Sequence, residues 1–235
     1  MNVQEVTIPA SDGGSFSAYL SMPAKGSGSV VIVIQEIFGI NSVMRQIADS
    51  YAEAGYIAIA PDLFWRTEPG IQLSDQSEQD WARAFQLYQS FDEAMGVSDL
   101  IATLDFARKL PEGNGKVGSV GYCLGGKLAY LMATRSDADC NVSYYGVAIE
   151  NNLTEVSNIQ KPLILHIAEQ DQFVPKEAQV QVMAAVKGND LVSVYVYPGV
   201  NHAFARIGGQ HYHQESAELA NSRTKAFFQQ HLGAG

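Results

Sequence analysis

The sequence predicts an α/β protein: a mostly parallel central sheet with helices on both faces. Three observations carry that prediction. Short apolar runs rich in β-branched residues, above all Val30–Ile34, read as strands covered on both faces. Stretches of helical periodicity separate these runs, and such alternation is the pattern of parallel crossover units. Between the run Val117–Tyr122 and a helical stretch from Leu124, glycines at 121, 125 and 126 mark a sharp strand-to-helix turn.

The elements follow in order. Residues 3–10 and 16–22 read as an antiparallel hairpin around the Asp-Gly-Gly turn at 12–14. After a turn at 23–29 comes the central strand Val30–Ile34. Asn41 or Ser42 caps a helix to about Ala54, and Gly55 stops it. Tyr56–Ala60 is a second buried strand. Residues 63–80 are irregular, a surface excursion beside the sheet. Helical periodicity returns over 76–91 and 97–109, and 111–115 turn the chain into the strand Val117–Tyr122. A helix over Leu124–Ala133 follows. Strands are expected at 141–146, 162–167 and 192–197, with helices near 176–187 and 214–231. In such sheets ligands bind outside the carboxyl ends of the strands. Glu36, Cys123, Asp171 and His202 all follow predicted strands, so all are expected at one edge.

Composition narrows the function. The chain has 235 residues, 46% hydrophobic and 17% charged, which suits one domain over 1–235. A formal charge of −10 argues against nucleic acid and anionic membranes as partners, and leaves small molecules. Two cysteines, Cys123 and Cys140, are too few for a disulfide framework, and free thiols fit a reducing cytoplasm. The opening residues MNVQEVTIPASDGG have neither the basic start nor the apolar core of a leader peptide.

Gly121-Tyr-Cys123-Leu-Gly125 has the spacing of a nucleophile elbow, with cysteine at the centre. The turn pushes the central side chain out at the carboxyl edge, and a helix N-terminus favours a thiolate there. The plainer reading is a small buried core cysteine. A cysteine nucleophile needs a base, and the base an orienting acid. His202 and Asp171 stand in loops after strands and in the right chain order, with Glu169 as a rival acid. Asp171 is also a candidate helix cap, although Pro175 suits that helix start equally well. The oxyanion needs N–H donors, expected from Leu124 and from Ile37 in the loop after the first central strand. Glu36, beside that loop's donor, is a solvated glutamate, a partner of the Cys123 thiol, or the partner of an arginine. His166 reads as a packed strand residue, Cys140 as structural. A metal cluster of His202, His211 and His213 is disfavoured, because no acid or cysteine stands at ligand spacing.

Glu36-Ile-Phe-Gly39, the Gly-Tyr-Cys-Leu-Gly-Gly elbow, Tyr144-Tyr-Gly146, Asp171 with Phe173-Val-Pro175, and His202-Ala-Phe-Ala-Arg206 together resemble the dienelactone hydrolases of the α/β-hydrolase superfamily. The similarity runs from about residue 5 to residue 230. The resemblance implies a Cys123–His202–Asp171 triad, with Glu36 controlling the thiol. It implies a monomer without cofactor or metal that opens a carboxylated enol lactone through a cysteinyl thioester, in bacterial degradation of chlorinated aromatics. Arg206, Phe38, Tyr145 and the residues at 81, 85, 88 and 203 would then form the substrate pocket.

Four of these positions depart from the pattern. Trp81 stands where a second carboxylate-binding arginine is expected. Arg83 lies about 200° further round a helix, on the opposite face. Phe85 and Ala203 replace a tyrosine and a serine, and Tyr88 a tryptophan. A less cationic wall implies specificity shifted toward less charged esters or lactones, as in a general esterase or thioesterase. A reading from another class keeps the fold and makes Cys123 a redox-sensing thiol.

Overall fold

The structure, a computed structural model, describes residues 2–233. Eight strands form one sheet: β1 (Asn2–Pro9), β2 (Ser15–Met22), β3 (Gly28–Ile34), β4 (Ile57–Pro61), β5 (Gly113–Tyr122), β6 (Cys140–Tyr144), β7 (Leu163–Ala168) and β8 (Val192–Tyr197). Their order across the sheet is β1-β2-β4-β3-β5-β6-β7-β8. β1 and β2 pair antiparallel, β2 joins β4 antiparallel, and every later pairing is parallel. The parallel strands are the apolar runs of the sequence: Val30–Ile34 and Ile57–Ala60 are fully buried.

The helices are α1 (Ser42–Glu53), α2 (Glu78–Ser90), α3 (Glu93–Arg108), α4 (Leu124–Arg135), α5 (Lys176–Val186) and α6 (Gln214–Leu232), of which α1, α3, α4 and α6 pack against the sheet. The Asn41 side chain caps α1 by accepting from the Met44 N–H, as its sequence position suggested. Three bounds differ most from expectation. β5 begins at Gly113, inside the turn expected at 111–115, where Gly113 pairs with Gly28 of β3. α3 starts at Glu93 instead of Val97, because Asp92 caps it immediately after α2 ends and accepts from the Met95 N–H. The strand expected to reach Gly146 stops at Tyr144, because Tyr145 turns to φ 39°. An unpredicted 3-10 helix covers Ile149–Asn158.

Register aligns the functional edge. Ile34 pairs with Gly121, Tyr122 with Tyr144, Tyr144 with His166, and Ala168 with Tyr197. The parallel strands therefore end level. The residues that follow them, Glu36, Cys123, Tyr145, Asp171 and His202, emerge at one edge.

Candidate active site

Cys123 sits between β5 and α4 with φ 56° and ψ −114°, a conformation rarely adopted by a residue with a side chain. Close backbone packing enforces it. A Cβ on Gly121 would collide with the Gly125 carbonyl, and one on Gly125 with the carbonyls of Ile34 and Gln35. The Cys123 N–H donates to the Tyr144 carbonyl at 3.1 Å, which ties the elbow to β6.

His202 and Asp171 meet beside it. Asp171 accepts from His202 Nδ1 at 2.8 Å and 3.0 Å through its two oxygens. It also accepts the Phe173 and Val174 N–H groups at 2.8 and 3.2 Å, so its carboxylate is fixed by its own loop. The two loops are laced together: Asn201 accepts from the Gln172 N–H and Val200 from the Gln170 N–H, each at 2.9 Å. The rival Glu169 instead accepts from the Gly199 N–H. Phe173 and Tyr145 pack edge-on against the imidazole, with ring centroids 4.9 and 5.0 Å away. Nε2 closes no hydrogen bond of ordinary geometry. Such contacts are often long before substrate binds. Burial opposes a charged His202, but the Cys123 sulfur and the Asp171 carboxylate outweigh it and push its pKa up to about 10.

The Ile37 and Leu124 N–H groups have no protein acceptor among the described residues, so both are free to bind an oxyanion. Of the readings open for Glu36, the structure has the arginine: Glu36 Oε2 accepts from Arg206 Nε at 2.8 Å, with both side chains buried. Arg206 Nη1 donates to Asp75 at 3.0 Å, and the guanidinium lies 4.9 Å from the Phe38 ring centroid. Burial opposes the Arg206 charge, and Glu36 and Asp75 more than restore it, so its pKa is raised. Asp75 was not legible in advance. It stands in the irregular 63–80 segment, and only tertiary contact brings it to Arg206.

These groups border a cavity of about 200 Å³. Cys123, His202, Ile37, Phe38 and Arg206 line it, with Trp81, Phe85 and Tyr88 from α2. Trp81 packs edge-on against Phe38 and turns its Nε1 to the Asp75 carbonyl at 2.9 Å. Arg83 faces away, paired with Glu68. Tyr145 and Ala203 are buried and are not part of the cavity wall; Tyr145 acts on His202 from behind. Phe173, Val147, Ala148 and Glu150 complete the wall. Cys140 is buried and its thiol is pushed far up by burial, which makes it inert. His166 is buried between Thr224 and Tyr197, held neutral by burial at about 3. His213 caps α6. Among the described residues no group of His, Cys, Asp or Glu has a metal-holding arrangement.

Comparisons with known proteins show the family of the chain. The model of the dienelactone hydrolase family matches residues 16–232. A provisionally named carboxymethylenebutenolidase of Azospirillum brasilense is 51% identical over 97% of this chain and 99% of its own length. The carboxymethylenebutenolidase of Pseudomonas putida is 40% identical, over 97% and 96%. A crystal structure provisionally assigned as a dienelactone hydrolase of Klebsiella pneumoniae superposes with a TM-score of 0.87 at 26% identity, over 97% and 98% of the two chains. The chain belongs to the dienelactone hydrolase family.

Proposed function

We propose that this chain is a carboxymethylenebutenolidase-type hydrolase that opens a carboxylated enol lactone through a thioester on Cys123. The observation that carries the reading is the array Asp171–His202–Cys123, whose histidine and cysteine line the cavity that Ile37, with its unengaged backbone N–H, also lines. The names of the relatives in Azospirillum brasilense and Pseudomonas putida support the substrate class.

The chemistry follows from the geometry. His202 takes the thiol proton, and the thiolate attacks the lactone carbonyl. The Ile37 and Leu124 N–H groups hold the oxyanion. Collapse breaks the ring C–O bond and leaves a C–S thioester. The leaving oxygen takes the proton from His202 as an enol, which tautomerises to a ketone. Water, deprotonated by His202, then attacks the thioester and returns the thiol. The product is a maleylacetate-type dicarboxylate. Arg206 is the cation available to the substrate carboxylate, and Nη2 is its one terminal nitrogen without a protein partner among the described residues. Asp171 holds His202 in orientation, and Glu36 fixes Arg206. We further propose a single-domain cytoplasmic monomer acting in bacterial degradation of chlorinated aromatics.

A second reading keeps the same machinery and assigns neutral esters. Trp81 favours it: the wall offers an indole in place of a second cation, and Arg206 already carries two carboxylates. Ultraviolet absorbance of cis- and trans-dienelactone, followed beside p-nitrophenyl acetate with wild type and Cys123→Ala, separates the two. Fast lactone loss that vanishes in the variant is expected. Slow lactone loss with brisk, cysteine-dependent ester cleavage would give the second reading the lead.

A further inference from the structure

The cavity has a second polar end. Val147 donates its N–H to the Cys123 carbonyl at 3.4 Å, which anchors the segment after β6 to the elbow. Ala148 then adopts φ 56°, a left-handed conformation that costs a residue with a side chain on the order of 1 kcal/mol or more. That turn starts the 3-10 helix and sets Glu150, its second residue, in the cavity wall. Glu150 makes no hydrogen bond or ion pair among the described residues, and its Oε2 is buried without a partner. An unmet buried acceptor is costly, and a charged one more so. The cations near this end are committed elsewhere: Lys127 pairs with Glu93, and Arg135 with Glu155 and Glu93.

Tyr88 is shifted upward by burial and by the charges of Cys123, Glu150 and Glu93. Tyr145 is shifted upward by burial and Glu36, against Arg206. Cys123 acts on both. Glu150 and Arg206 line the same cavity as the sulfur but arrive on different segments: Glu150 on the chain after β6, tied to the elbow through Val147, and Arg206 on the chain after β8, tied to Glu36 and Asp75. Ile37, Phe38, Phe85, Val147 and Phe173 make the cavity wall mostly apolar, so few other groups in it compete for a substrate donor.

We propose that Glu150 is a specificity-determining residue: its carboxylate accepts a hydrogen bond from a donor, hydroxyl or ammonium, carried by the substrate bound in the cavity. The preferred substrates are then esters or enol lactones bearing such a donor, in place of unsubstituted ones. The proposal rests on the cysteine-hydrolase reading of the site and extends it. The arrangement has a physical purpose. A donor-bearing substrate satisfies an acceptor that the folded chain leaves unmet, and a substrate with only a methyl group there strands it.

The test uses the full chain and p-nitrophenyl benzoates with a para methyl, hydroxymethyl or aminomethyl group, at neutral pH. Wild type is expected to turn over the hydroxymethyl ester with kcat/KM about tenfold above the methyl ester, and the aminomethyl ester better still. Glu150→Gln keeps an acceptor and loses the charge, so the hydroxymethyl advantage remains and the extra gain of the ammonium disappears. Glu150→Leu removes both. Equal kcat/KM for the methyl and hydroxymethyl esters in wild type overturns the proposal without recourse to any variant. So does an advantage that survives in Glu150→Leu. Cys123→Ala is run alongside: turnover that persists there overturns the nucleophile assignment, while the substrate ratios still report on Glu150.

Discussion

At the scale of single residues, the site depends on how few groups control His202. Asp171 reaches Nδ1 with both oxygens, and its other contacts are backbone N–H groups, so its orientation does not depend on mobile side chains. The raised pKa of His202 is set by three contributions: burial against the charge, the Cys123 sulfur and Asp171 for it. Removing the Asp171 charge leaves burial less opposed. Asp171→Asn is therefore expected to lower the His202 pKa from about 10, so the imidazolium is lost at a lower pH than in wild type. Nitrogen-15 shifts of the imidazole across a pH titration read this directly. The same variant should lose about three orders of magnitude in kcat, because the base is no longer held in its working tautomer. An unmoved titration would mean that Asp171 is only a loop cap. Cys123 and His202 were legible as candidates because each is a rare reactive type in a loop after a strand, and Asp171 because it stands in a loop after a strand in the right chain order. Asp75 and Glu150 were not. Both stand in segments without periodicity, and their meaning comes from the side chains that tertiary folding brings to them.

At the scale of elements, the elbow couples three strands to one sulfur. Its tightness is visible at Gly125, where a methyl group would meet the Ile34 carbonyl and lie 2.6 Å from the Gln35 carbonyl. Those carbonyls end β3 and begin the loop that carries Glu36 and Ile37. Gly125→Ala must therefore push the oxyanion loop away from Cys123. We expect a loss of about 1–3 kcal/mol in urea unfolding, with a fall in kcat of about tenfold or more as the Ile37 N–H is displaced. Gly115→Ala is the comparison. That residue has positive φ, unlike Gly125, but nothing lies within 4 Å of an added Cβ, and the position is at the far end of β5. Its cost should be limited to about 1 kcal/mol of backbone strain, with kcat unchanged. A Gly125→Ala enzyme with wild-type kcat would show that the oxyanion loop is not seated by this contact. The elbow was readable from glycine spacing alone. The early start of α3 was not, because Asp92 caps it directly after the last turn of α2 and leaves no loop signal between them.

At the scale of the whole molecule, the strand order explains why residues spread from 37 to 206 share one cavity. Parallel strands that end level deliver their following loops to the same edge. That much was legible, since it needs only the alternation of apolar runs with helical stretches. The antiparallel hairpin at the start was legible from its turn residues. The details of the wall were legible only in part. Trp81, Phe85 and Tyr88 fall on one side of α2, as helical spacing requires, and Arg83 falls on the other, paired with Glu68. The polar groups that close the wall come from irregular chain, where spacing carries no information about direction. The net charge of −10 adds a global field that repels an anionic substrate. Arg206 is thus the local cation that a carboxylated lactone must find.

The central claim is that Cys123 becomes acylated. Brief reaction with p-nitrophenyl acetate, acid quench, and mass spectrometry of the peptides tests it most directly. One acetyl group is expected on the peptide that holds Cys123, none on the peptide of Cys140, and none in Cys123→Ala. Rapid ester turnover with no acetyl on Cys123 at the earliest times, or equal turnover by Cys123→Ala, would contradict it.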